Sequence, residues 1–149
     1  MSILKIQTGV DNLILRKKAR EVREINPQIK KLISNMTKTM ESNQGVGLAA
    51  PQIGRLLQII IVKPNPNKKA LVLINPQIKK RSFLKKTAEE GCLSLPGTCL
   101  FIKRPRSVVV NYLDTNNKSV QLKVNKLLAR VIQHEIDHLD GILITDYAK

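Results

Sequence analysis

From Asn26 onward the apolar residues Ile29, Leu32, Ile33, Met36 and Met40 recur at three- and four-residue intervals, the period of a helix with one buried face. Pro27 suits the first turn, where its missing N–H costs nothing. A helix is therefore predicted over residues 28–41, with its apolar stripe in the core. The period is lost over residues 42–54, which read as a loop around their glycines. Residues 56–62 and 70–74 are apolar and β-branched and predict strands, with Pro64, Asn65, Pro66 and Asn67 marking the turn between them. A second strand pair is predicted over residues 107–113 and 119–124, joined by Asp114-Thr115-Asn116-Asn117. Asn125 is placed as the cap of a second helix running to about Asp140 and stopping at Gly141. Residues 142–145 read as a short terminal strand.

No repeat, low-complexity tract or interdomain linker interrupts this order. Strands dominate and successive strands read as antiparallel, so the fold class is α+β. A chain of 149 residues suits one domain with a sizeable core, and residues 1–149 are taken as that domain.

Composition narrows the partners. The formal net charge is +15, which favours nucleic acid, anionic membrane or other acidic surfaces, although dispersed lysines are often merely solvated. The densest runs are Lys79-Lys80-Arg81 and Lys103-Arg104-Pro105-Arg106. Neither run itself contains an aromatic residue, which argues against a stacking surface for single strands. No apolar run is long enough to span a membrane, and the N-terminus lacks the apolar core of a secretory signal. Two cysteines make no disulfide framework. A reducing cytoplasm is the expected setting.

The chemistry lies in the second helix. His134-Glu135-Ile136-Asp137-His138 is an H-E-x-x-H motif. On a helix, His134 and His138 share one face and can hold a single divalent ion, with Glu135 beside them as a general base. Glu135 projects about 100° round the helix from His134, so it faces a water rather than the ion. A third ligand is needed. Asp140 would turn away from the metal face, and Asp146 would need a tight turn to reach back. The two histidines are the only ones in the chain, which leaves Cys92 and Cys99 as the soft ligands upstream. Cys92 stands between Gly91 and Gly97, where backbone can approach a bound ion closely. A thiolate brings the negative charge that two imidazoles lack, and one Cys with two His leaves a position open for water.

Three motifs now stand in order: Gly45-Val46-Gly47-Leu48-Ala49-Ala50-Pro51-Gln52-Ile53-Gly54, Glu90-Gly91-Cys92-Leu93-Ser94, and Gln133-His134-Glu135-Ile136-Asp137-His138-Leu139. Together they make the chain resemble the peptide deformylases, from about Ile3 to Tyr147. The resemblance implies antiparallel sheets around a central helix that carries H-E-x-x-H. It also implies hydrolysis of the N-formyl group from the N-terminal formyl-methionine of nascent polypeptides, with release of formate. Cys92, His134 and His138 match the family's metal ligands, and Glu135 its catalytic base. Gln52 and the Leu93 N–H match its oxyanion donors. Val46, Gly47 and Gly91 match the strip that holds the substrate backbone, and Leu127 and Val131 the pocket for the methionine side chain.

The family's metal is natively Fe2+, with Zn2+, Ni2+ or Co2+ able to substitute. Cys99 stands where many members carry an arginine, and Ala88 where a larger aliphatic is common. Many bacterial members also continue into a basic C-terminal helix that docks on the ribosome. No such extension helix is expected here, so ribosome association would fall to the basic surface. The partners expected are nascent formyl-Met peptides and the ribosome, with no membrane and a monomeric chain. Two alternatives stand beside it: a metallopeptidase acting on internal bonds, which the Cys92 motif and the lack of a downstream third ligand argue against, and a catalytically idle ribosome- or RNA-binding homologue, supported by charge alone.

Overall fold

The computed structural model describes residues 2–148. Helix α1 (Pro27–Ser42) is followed by strands β1 (Gly47–Ala49), β2 (Ile59–Val62), β3 (Leu71–Arg81), β4 (Lys85–Cys92), β5 (Leu95–Pro105), β6 (Ser107–Leu113) and β7 (Ser119–Asn125). Helix α2 (Lys126–Leu139) comes next, and short 3-10 turns span Ala50–Ile53 and Ile144–Ala148. Five strands form an antiparallel sheet in the order β1-β2-β3-β6-β7, and β4 and β5 form a separate two-stranded ribbon. The α+β class is as expected.

Strand β2 shows why the sheet sits between two helices. Its four residues, Ile-Ile-Ile-Val, are all buried. Successive side chains on a strand point to opposite faces. Ile60 and Val62 join Ala129, Val131, Ile132 and Leu139 of α2 in one core. Ile59 and Ile61 join Leu32, Met36 and Met40 of α1 in another. Burying each such aliphatic side chain stabilises by roughly 1.5–3 kcal/mol. A third, smaller core under the ribbon unites Leu15, Leu95, Ile102, Leu143 and Ile144.

The helix boundaries follow local chemistry. Asn26 caps α1 by accepting from the Ile29 N–H at 2.9 Å, a donor the first turn would otherwise leave unpaired. Asn125 occupies the cap position of α2 in an extended conformation, but its side chain makes no capping bond. Gly141 ends α2 at φ 72°, where an added Cβ would collide with the carbonyl of Arg16.

Several expectations are corrected. Residues 142–145 are not a strand: Leu143 donates its N–H to Asp146 Oδ2 at 3.0 Å, which closes the 3-10 turn instead. Part of the expected 42–54 loop is β1, held by pairing Gly47 with Val62 and Ala49 with Ile60. Strand β3 extends to Arg81, well past Ile74, through two register shifts opposite β6. The ribbon β4–β5 was not foreseen, because its strands are rich in Lys, Glu and Gly and carry a buried face over only a few positions. Among the described residues no helix is long and apolar enough to cross a membrane.

Candidate metal centre and active site

Cys92, His134 and His138 converge although they come from different elements. Helix α2 supplies the two imidazoles, and the end of β4 supplies the thiol. Their ligand atoms all lie within 4.8 Å of one another, and Cys92 Sγ is 3.4 Å from His138 Nε2. Such a group could hold a divalent ion, since catalytic sites use three protein ligands and leave the fourth position to water. Cys99 is exposed on β5 opposite Gly91 and is not part of the cluster.

The electrostatics suit a cation. Burial opposes protonation of His134, yet Glu135, Cys92 and Glu90 together push its pKa up to about 10. The negative surroundings that favour a proton there also favour a divalent ion. Burial and the positive field of His134 and Arg104 hold His138 down to about 3. Its imidazole is therefore neutral and keeps a lone pair to give. Its Nδ1 is buried and has no hydrogen-bond partner among the described residues.

Glu90 organises the surroundings of His134. Its Oε1 lies 3.0 Å from His134 Nδ1. Arg104 grips the same carboxylate with two bonds, Nε to Oε2 at 2.6 Å and Nη2 to Oε1 at 2.9 Å. Arg130 adds a third at 2.6 Å and also binds the carbonyls of Lys86 and Ile102. Burial alone would raise the Glu90 pKa, but the bonds from His134 and Arg104 hold it at about 2. Arg104 continues to Asp137 at 2.9 Å, and Tyr147 donates its hydroxyl to that aspartate at 2.6 Å. The buried charges are thus paired and hydrogen-bonded, the condition under which such a cluster is tolerated.

Glu135 is buried, and its Oε1 has no hydrogen-bond partner among the described residues. Burial raises its pKa to about 7 against the pull of His134, close to the value an acid–base catalyst needs near neutrality. Gly47 makes the approach possible: a Cβ there would meet Glu135 Oε2 at 2.6 Å and Val131 Cγ1 at 2.9 Å. Gln52 is buried in its 3-10 turn. Its Oε1 accepts from the Ala49 N–H at 2.9 Å, which aims Nε2 at Ser94 Oγ, 3.1 Å away, and Cys92 Sγ, 3.7 Å away.

A cleft of about 340 Å³ opens beside these groups. Every expected substrate-contact residue lines it: Val46, Gly47, Gly91, Leu127 and Val131, with Leu93 and Gln52. Val131 is buried, whereas Val46 and Leu127 are exposed at the rim. His138 lies beneath the cleft rather than on its wall. Arg130, Glu89 and Gln44 also line the cleft and were missed in the sequence. For Arg130 a signal existed, a cation set among the apolar residues of the motif helix.

Comparison with known proteins agrees with this geometry. A family model described as polypeptide deformylase matches residues 3–149. The chain is 48% identical over 149 residues to a peptide deformylase of Thermodesulfovibrio yellowstonii, covering 98% of this chain and 89% of the relative. It is 50% identical over 135 residues to one from Desulforudis audaxviator, covering 91% and 87%. The crystal structure of a peptide deformylase from Thermotoga maritima superposes with a TM-score of 0.94 at 36% identity, over 99% of this chain and 98% of that one.

Proposed function

From the premise that this chain belongs to the polypeptide deformylase family, and is a metal-dependent hydrolase of that class, we propose the following division of labour. The enzyme removes the N-formyl group from nascent peptides. Cys92, His134 and His138 hold its metal. The observation that carries this reading is the convergence of these donors within 4.8 Å, beside a buried carboxylate oxygen without a partner among the described residues.

Held by Cys92, His134 and His138, a divalent ion would supply the acidity that brings the pKa of a water towards neutrality and would polarise a carbonyl oxygen. Glu135 Oε1 takes the proton of the attacking water and returns it to the amine nitrogen as the formyl C–N bond breaks. Gln52 Nε2 and the Leu93 N–H donate to the oxygen on which negative charge develops, each such donor being worth about 3 kcal/mol of barrier. Val46, Gly47 and Gly91 present backbone to the peptide. Leu127 and Val131 receive the methionine side chain and shed water from it. Glu90 acts through His134 as a positioning residue.

The native ion is taken as Fe2+ from the family resemblance; a thiolate with two imidazoles suits Fe2+, Zn2+, Ni2+ or Co2+. A monomer in the cytoplasm, associating with ribosomes through its basic surface, completes the reading. The gathering of Cys92, His134 and His138 beside Glu135 favours this reading over the idle-homologue alternative.

The test is formate release from formyl-Met-Ala-Ser by protein loaded anaerobically with iron or nickel. Turnover that requires both the metal and the formyl group supports the reading. Folded, metal-loaded protein that releases no formate would sink it.

A further inference from the structure

The chain has two phenylalanines and no tryptophan, yet Phe83 is 96% exposed and Phe101 73%. Phe83 is not on a slack loop. It sits in the Ser82–Leu84 turn between β3 and β4, and that turn is stitched to the start of β6. Ser82 N–H donates to the Ser107 carbonyl at 2.9 Å, Arg106 N–H to the Leu84 carbonyl at 3.0 Å, and Ser107 N–H to Ser82 Oγ at 3.1 Å. The ring is therefore held out in water by a fixed backbone.

The turn forms one lip of an open groove of about 1000 Å³. Lys86 of β4, Arg106 before β6, Lys123 of β7 and Lys126 at the start of α2 all line it. All four are exposed, and none has an ion-pair partner among the described residues. The Lys126 N–H donates to the Arg106 carbonyl at 3.1 Å, which fixes the backbones of these two cationic residues beside each other. Glu89 is the one carboxylate on the groove among the described residues, and Arg130 is already committed to Glu90. Glu89, Leu127 and Arg130 also line the active-site cleft, so groove and cleft adjoin.

We propose that this groove binds single-stranded RNA, with phosphates on Lys86, Arg106, Lys123 and Lys126 and a base stacked on Phe83. A concave track of cations with an exposed aromatic ring is how proteins hold single strands without reading sequence. A flat anionic membrane could meet Phe83 but not cations contributed by four elements around a concavity. The aromatic residue lies outside the basic runs of the sequence, and folding is what brings it to them. The choice of RNA among polyanions rests on the proposed action on nascent chains, which emerge from an RNA-rich surface.

The experiment is fluorescence anisotropy of a short labelled oligouridylate with the whole protein, titrated between about 50 and 200 mM salt. Arg106→Gln and Lys123→Gln should each lower the slope of log affinity against log salt by roughly 0.7. Phe83→Ala should weaken binding roughly tenfold with the slope unchanged. Formate release from formyl-Met-Ala-Ser and thermal melting should match the parent in all three variants. Absence of binding at low salt, equal binding by parent and variants, or binding of phosphatidylglycerol vesicles in place of the RNA would overturn the proposal. Lack of formate release by the parent would instead strike the proposed function, while the RNA titration would still judge the groove.

Discussion

Glu90 Oε1 lies 3.0 Å from Nδ1 of His134, and a carboxylate can only accept, so the neutral imidazole keeps its proton on Nδ1 and offers Nε2 to a metal. The partner of a ligating histidine fixes both its tautomer and its ring angle. Glu90→Gln should lower metal affinity about 10- to 100-fold, read as metal retained during chelator competition. Excess metal should recover most of the turnover. A variant that holds metal as tightly as the parent would show that Glu90 serves stability alone.

Replacing Glu135 separates chemistry from binding. Glu135→Gln keeps the shape of the cleft and leaves Cys92, His134 and His138 untouched. Metal content by mass spectrometry should be unchanged, while kcat should fall roughly 10²- to 10⁴-fold, the usual worth of a general base. The melting temperature should hold or rise, because a buried carboxyl without a full set of partners is removed. Residual turnover near the parent level would exclude Glu135 as the base.

Removing the metal should abolish turnover without unfolding the chain. The cores around β2 are built from aliphatic side chains and need no ion. Chelation should therefore leave the circular dichroism at 25 °C intact. The melting temperature should then climb with added divalent ion, as for any ligand bound only by the folded state. Cys92→Ser should flatten that climb. Loss of secondary structure on chelation would mean that the fold depends on the site.

Gly47 is required by space rather than by backbone freedom. A methyl group there would press on Glu135 Oε2 and Val131 Cγ1, so Gly47→Ala should displace the base and narrow the side-chain pocket together. We expect kcat/KM for a short formyl peptide to drop by about 10²-fold, the typical cost of a misplacement near 1 Å, with only a small change in urea midpoint. Parent-like kinetics would show that Val131 and Glu135 yield without consequence.

The sequence exposed the part of the site that is periodic. His134 and His138 are separated by one helical turn, so their convergence follows from α2 alone. Cys92 was reached because so few soft ligands exist in the chain. What carried no signal was the pairing of β4 with β5 and the reach of Glu90 to His134 and Arg130, because the alternation of these strands is blurred by Lys85, Lys86, Glu89 and Gly91. That ribbon places Glu90 under His134, Arg104 across from Glu90, and Arg130 within reach of both strands. Partners 14 to 44 positions apart carry no local signal. The terminal 3-10 turn differs for a local reason: apolar Ile142 to Ile144 look strand-like until Asp146, three positions on, folds back on Leu143.

The side chains proposed to hold the metal are also separated in time. Cys92 and His138 stand 46 positions apart, and a ribosome adds about 5–20 residues per second, so the thiol is made roughly 2 to 9 s before the last imidazole. From its emergence until α2 folds over it, Cys92 has neither metal nor helix to cover it, and an uncovered thiol is open to oxidation. The yield of active enzyme should therefore depend on how fast the segment from β5 to α2 is translated, and slow codons there should cost more activity in aerated cells than in anaerobic ones.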